Sequence, residues 1–495
     1  MDAAVNIRPE ASTRVPVAGA AAAAIAESME ALDGLGAGLA VDQHLARVFQ
    51  LEDASWFQAR KLGRDYLGSP RLDHAAELAL WRSNYDWWWR LVLAYEECLR
   101  RYHAGAKGAR EVQPWLGVLY ARLLHAYVFC HKWARFRYGP MSDHLWFGAG
   151  RAYLGAVADR VAELELIAYP GAAIVTSPRR EYLKALMLHT SSMDNLLPLE
   201  IEIAQQLISH FLPLVTFSEE PRHGNVFWVD AATAQAPVRL TRLPEAKPSL
   251  RFFSAGKTLK AVAELRQGMA ESGQVPAELR LVGQYTVRSI LPLLDHLAGY
   301  WSPSPPSRNH PRHRVKSRLT VVHGLAAIQC KLAAGDEEGE AWIADNVSRE
   351  GIGATVTLEA KDWLRIGVLV GVQPEGGDNW LVGVVRRLSR MSEQAGLVGI
   401  STLGKLARPV LVHDESGAAL AAILLAAPHL GERVQLLLER GAYAAASVLR
   451  LDLDGELLRL APQQLVETGT DFALGAYRVE TVSRVFAAPI WDERP

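Results

Sequence analysis

Cysteine is nearly absent from the chain. Cys98, Cys130 and Cys330 are the only three in 495 residues, and their odd number and wide separation exclude a disulfide framework and any paired-thiolate zinc spacing. A reducing, cytoplasmic setting is the expectation. Charge of one sign is missing too, since 53 Lys plus Arg stand against 54 Asp plus Glu. The molecule is therefore no polyanion-coating protein, DNA and RNA are not expected partners, and any basic site must be local. Long apolar runs are also lacking. Residues 15–26 are rich in alanine rather than leucine and follow Asp2 and Glu10, unlike a secretory leader. Residues 417–428 are too few to cross a bilayer core of about 30 Å. No HExxH, paired CxxC or GxSxG pattern occurs, so neither a metal, a cofactor nor an enzymatic activity is expected.

What is present is an ordinary globular composition, 49% hydrophobic and 22% charged, which is able to bury substantial cores. At roughly 150 residues per domain the length allows about three domains. Residues 1–50 are rich in alanine and glycine and read as a mobile arm. Over residues 51–225, Leu78, Trp81, Tyr85, Trp88, Val92 and Tyr95 recur at helical spacing. Leu116, Leu119, Leu123, Tyr127 and Cys130 repeat the pattern after Pro114, which predicts a helical domain. Residues 226–301 mix apolar runs at 226–229 and 250–253 with a helical stretch at 258–269. Residues 302–309 contain the Ser-Pro-Ser-Pro-Pro-Ser sequence of a semi-rigid linker.

Beyond the linker the periodicity changes to two. Ile366, Val368, Val370 and Val372 alternate with their neighbours, and Gly376 and Gly377 turn the chain into Trp380, Val382 and Val384, a predicted hairpin. Short β segments continue through residues 406–495, which form either a second β domain or an extension of the preceding one.

The densest charge in the chain lies at the start of this β region, where Arg308, Arg312, Arg314, Lys316 and Arg318 precede the apolar run 319–322. Such a run is often only a solvated linker, but arginine's planar fork also holds a phosphate or the O6/N7 edge of guanine bidentately and stacks on a base. Asn346, Ser348 and Gly351 follow at a distance that lets a returning strand bring them beside the basic segment. Arg314-x-x-x-Arg318 leading directly into a strand, with Asn346-x-Ser348-x-x-Gly351 after it, resembles the two-part signature of PilZ domains, bacterial receptors for cyclic di-GMP. Arg308 and Arg312 share the same spacing, but six residues separate Arg312 from the strand. The resemblance covers about residues 310–405, a fifth of the chain.

Periodicity and resemblance together predict a multidomain α+β protein: an N-terminal all-α helical domain, a PilZ-like six-stranded antiparallel β-barrel, which the resemblance implies, and a C-terminal β-rich region. The resemblance implies cyclic di-GMP as the ligand, with Arg314 and Arg318 on the phosphates and guanine edges. Asn346 and Ser348 would present an amide and a hydroxyl to a guanine, and Gly351 would permit close approach. Arg312 and His313 are auxiliary candidates. Asn346 departs from the aspartate commoner at its position, and His313 lies where relatives differ in holding one ligand or a stacked pair. The expected output is a protein partner bound through the helical domain. The alternative is a ligand-free barrel serving as an interaction scaffold. Three further features offer other chemistry. Gly256-Lys257-Thr258 ends like a phosphate loop, but Arg251 occupies its first glycine position. Trp87, Trp88 and Trp89 form a consecutive triplet expected to divide between core and rim. His125, Cys130, His131 and His144 lie close in sequence without a ligand spacing, and core packing is expected of them.

Overall fold

The computed structural model describes residues 18–481 except 37, 69–73, 172–173, 284, 307–309, 336–337, 360, 378, 405 and 445–446. Arg308 and the C-terminal end of the Pro/Ser segment fall outside the described residues, as do residues 1–17 of the expected arm. The chain divides into two compact units, one comprising Met1–Met193 and Leu197–Pro306, the other Asp194–Leu196 and Ser307–Pro495.

The first unit is mainly helical. It contains α1 (Ala18–Asp33), α2 (Val41–Gly68), α3 (His74–His103), α4 (Ala109–Val112), α5 (Leu116–Phe136), α6 (Asp143–Ala158), α7 (Pro178–Thr190) and α8 (Pro198–Phe211). Helix starts follow local chemistry: Ser177 caps α7 by accepting from the Arg180 amide at 3.2 Å, with Pro178 in the first turn. The apolar stripes on α3 and α5 form the core, where Trp87, Trp88, Tyr95, Leu119, Leu123 and Tyr127 are buried. From Ala18 onward the segment expected as a mobile arm is helical instead, and Ala21 and Ile25 of α1 are buried. Alanine has the strongest intrinsic helix preference, and its small side chain is itself burial-competent, so composition alone misleads here. A four-stranded sheet follows, built from β1 (Thr216–Ser218), β2 (Phe227–Asp230), β3 (Val238–Arg239) and β4 (Leu250–Ser254) in the order β1-β4-β2-β3, with α9 (Thr258–Ser272) and α10 (Val287–Trp301) after it.

The second unit contains two closed six-stranded antiparallel barrels. The first consists of β5 (His313–His323), β6 (Glu340–Ser348), β7 (Gly351–Thr357), β8 (Leu369–Pro374), β9 (Leu381–Arg390) and β10 (Ala395–Thr402), with α11 (Leu325–Ala334) between β5 and β6. The second consists of β11 (Arg408–His413), β12 (Ala419–Leu424), β13 (Arg433–Glu439), β14 (Leu449–Leu453), β15 (Glu456–Thr468) and β16 (Phe472–Thr481). Numbered within each barrel, both run 1-2-3-6-5-4 around the closed sheet. The C-terminal residues therefore close a barrel of their own rather than extending the first.

Strict alternation across β8 predicts an exposed Leu369, yet Leu369 is fully buried. The cause lies on the barrel's outer wall. Val322, Leu369, Val382 and Val384 join Leu325 and Ile328 of α11 and Ile423, Leu437, Phe472 and Leu474 of the second barrel in one apolar core. One side of the first barrel is thus committed to packing. The strands on the other side, β6, β7 and β10 with the beginning of β5, are left to carry polar groups outward.

Candidate functional site

Strand register brings the two sequence signatures together. Arg314 near the start of β5 stands directly opposite Asn346 on β6, and His313 opposite Val347. Asn346 in turn faces Gly353 on β7, and Gly353 faces Gly399 on β10. Directly opposed residues of antiparallel strands project to the same face. The inner face at this level belongs to Ala354 and Val398, which are opposed and buried, so the Arg314–Asn346–Gly353–Gly399 rung lies on the outside of the barrel. A Cβ at Gly353 would lie 2.7 Å from both terminal atoms of the Asn346 amide, so the absent side chain makes the room in which that amide rests.

Two irregularities crowd charge into the same place. Pairing between β5 and β6 shifts between Arg314 and Ser317, and pairing between β6 and β7 shifts between Ala344 and Asn346. Bulges of this kind re-aim side chains. Here they set Lys316 against Asp345, with Nζ donating to Oδ1 at 2.5 Å, while Thr355 Oγ1 donates to Oδ2 at 2.5 Å. The Lys316 bond first, and the Thr355 bond second, hold the Asp345 carboxyl below the usual aspartate range. Arg312 Nη1 donates to Asn346 Oδ1 at 2.8 Å. Arg312, Arg314, Val315, Lys316, Asp345 and Asn346 line one open groove of about 740 Å³. That volume falls within the range of about 300–1,000 Å³ usual for small-molecule sites.

The remaining motif residues occupy the neighbouring turn. Ser348 Oγ donates to the Gly351 carbonyl at 3.3 Å, closing the turn between β6 and β7. A Cβ on Gly351 would lie 2.7 Å from the Ile400 carbonyl oxygen, so glycine is required by the close approach of β10. Beside this turn Glu350 pairs with His310, whose Nε2 lies 3.1 Å from Oε1. Arg318 is exposed further along β5, opposite Ile343, and does not line the groove. Arg312, Arg314 and Asn346 therefore converge, Ser348 and Gly351 flank them, and Arg318 stands apart.

A match to known proteins falls on the other unit. Residues 14–222 match the family model described as "Cyclic-di-GMP receptor FimW, N-terminal domain". No curated protein matches the chain. The matched stretch, less than half of the chain, takes in α1 to α8 and ends before β2. The likeness to a cyclic di-GMP receptor thus rests on helices that carry none of the motif residues on the barrel.

The other sequence candidates are accounted for by packing. Gly256 adopts a φ of +55° in the turn into α9, where a Cβ would lie 2.9 Å from Thr216 Cγ2, and Thr258 is fully buried. Arg251 is buried, with Nε donating to the Tyr153 hydroxyl at 3.1 Å and Nη1 to two main-chain carbonyls. Trp87 and Trp88 are buried, while Trp89 lies half-buried against His144. His125 Nδ1 lies 3.0 Å from Glu181 Oε2, and His131 packs tilted against Trp146 with a centroid separation of 4.2 Å. Among the described residues no group of three or more His, Cys, Asp or Glu side chains converges on a metal position. Nor, among them, is any helix long and apolar enough to cross a membrane.

Sequence reasoning missed Lys316 as a groove residue, and missed Asp345, Gly353 and Thr355 altogether. Gly353 had a legible signal, since Gly351 and Gly353 recur at the strand period on the face shared with Ser348. Asp345 had none, because its position depends on the bulge.

Proposed function

We propose that this protein is a cyclic di-GMP receptor whose first barrel is a PilZ domain and whose ligand sits in the groove at the start of β5. The carrying observation is the register that opposes Arg314 to Asn346. The likeness of residues 14–222 to a receptor for the same nucleotide supports the reading from a separate part of the chain. Arg314 and Arg312 would meet a phosphate and a guanine Hoogsteen edge, with Asn346 and Ser348 presenting hydrogen-bonding groups beside them. Arg318 would reach a ligand that extends from the groove along β5, by stacking on the second base. His313 is auxiliary. The role is binding rather than catalysis, in the cytoplasm, with the helical unit as the surface for a protein partner.

A ligand shifts only an equilibrium whose states it binds unequally. The coupling proposed is that nucleotide on β5 holds Arg312 and Arg314 against the barrel and thereby selects one arrangement of the helical domain.

Titration calorimetry of the full chain tests the receptor reading. Cyclic di-GMP should bind, and Arg314→Ala should cost about 1.5–3 kcal/mol, roughly tenfold to a hundredfold in affinity. Arg318→Ala should also weaken binding if the ligand extends along β5; an unchanged constant would confine the ligand to the groove. Absence of heat with the unmodified protein would refute the receptor assignment.

A further inference from the structure

The groove holds a charge that a plain phosphate site would exclude. Arg312, Arg314 and Lys316 suit an anion, but Asp345 lines the same groove with its carboxyl held ionised by Lys316 and Thr355. A carboxylate set among phosphate-binding cations weakens their hold on a phosphate, and it suits a ligand that also brings hydrogen-bond donors. Each carboxylate oxygen accepts more than one hydrogen bond, so the bonds from Lys316 and Thr355 leave acceptor capacity on both.

Purines differ in what they offer such an acceptor. Guanine presents two adjacent donors on its Watson–Crick edge, N1–H and the N2 amino group, and a carboxylate takes both side by side. Adenine presents one amino donor beside the bare N1 lone pair, which a carboxylate repels. Hypoxanthine keeps N1–H and lacks the amino group.

We propose that Asp345 is a specificity-determining residue that selects guanine by accepting from N1–H and N2–H, with Lys316 as the cation that holds it in place. This rests on the receptor reading above and deepens it. Asp345 lies one residue before the motif position occupied by Asn346. The bulge between Ala344 and Asn346 brings its carboxylate to the groove. The carboxylate that Asn346 does not supply is thereby furnished by its neighbour.

The test measures affinities of the full chain for cyclic di-GMP, cyclic di-AMP and cyclic di-IMP. The unmodified protein should prefer the guanine ligand to the adenine ligand by at least about a hundredfold, with the hypoxanthine ligand between, because a site built to receive donors rejects a base that lacks them. Asp345→Asn, or Asp345→Ser should the first variant not fold, should weaken cyclic di-GMP about tenfold or more and shrink the preference over cyclic di-AMP. Lys316→Met should weaken all three ligands, because the phosphates are common to them, and should also shrink the preference in part, because Asp345 is then held by Thr355 alone. An unchanged preference in both Asp345 variants overturns the proposal, and a preference left whole in Lys316→Met overturns the positioning role given to Lys316. If the unmodified protein binds none of the three, the receptor reading falls with it; if it binds all three alike, only the selectivity proposal falls.

Discussion

The amide of Asn346 rests on Gly353, the residue opposed to it on β7. No Cβ intervenes, and one placed there would lie 2.7 Å from both amide heavy atoms. The amide at the head of the Asn346-x-Ser348-x-x-Gly351 motif is thus held by a glycine outside that motif.

Gly353→Ala should therefore displace the amide while leaving the barrel folded. Gly353 carries no positive φ among the glycines of the barrel, so alanine brings no backbone strain there. The expected result is a loss in cyclic di-GMP affinity of about tenfold, comparable to losing one hydrogen bond to a charged or well-placed polar group, with the melting temperature little changed. Calorimetry and thermal denaturation of the same variant check it. An affinity equal to that of the unmodified chain would show that Asn346 takes no part in binding.

How much of this was legible in advance depended on where each residue sits. Arg314, Asn346, Ser348 and Gly351 occupy strand ends and a turn, places where spacing along the chain translates directly into geometry. Asp345 and Lys316 meet only because two bulges displace the register, and no periodicity announces a bulge. The helical domain was readable from the stripes on α3 and α5. Helix α1 was not, because alanine and glycine together resemble a flexible arm until the buried Ala21 and Ile25 are seen. The second barrel was visible as β segments, but its closure and the winding it shares with the first are properties of long-range pairing that short segments do not encode.

The core shared by the two barrels predicts a single unfolding event. Phe472 is fully buried in that core, among residues contributed by both barrels. Phe472→Ala should cost about 3–5 kcal/mol, the range for large aromatic truncations, and should lower the unfolding midpoint of both barrels together. Denaturant unfolding of the second unit carrying Trp491→Phe, followed by the fluorescence of Trp342, Trp363 and Trp380, all within the first barrel's stretch of chain, checks it. A first-barrel transition indifferent to a change in the second would contradict a common core.

Acid sensitivity should arise in the helical unit. Burial first, then the nearby Arg135, depress the pKa of both His131 and His189, the latter to about 3. His189 Nδ1 lies 2.9 Å from Arg135 Nη2 and accepts from it only when unprotonated. Between about pH 3 and 6.5 the unfolded chain binds protons that the folded chain refuses, so stability is whole above 6.5 and falls as pH drops through this window. At pH 5 the loss from His189 is about 2 kcal/mol. His131→Phe should flatten the decline further, since neither ring nitrogen of His131 has a hydrogen-bond partner to lose. Thermal denaturation from pH 7 to 5 checks both, and an unaltered slope in the variant would place the sensitivity elsewhere.

The outer wall of β8 and β9 also sets a practical limit on dissection. A fragment ended near residue 405, where the likeness in sequence stops, would strip the cover from Val322, Leu369, Val382 and Val384 and present water with an oily flank. Such a fragment should clump rather than stay dispersed, whatever the state of its groove. The smallest soluble piece that keeps the groove must carry its neighbour with it, through β16.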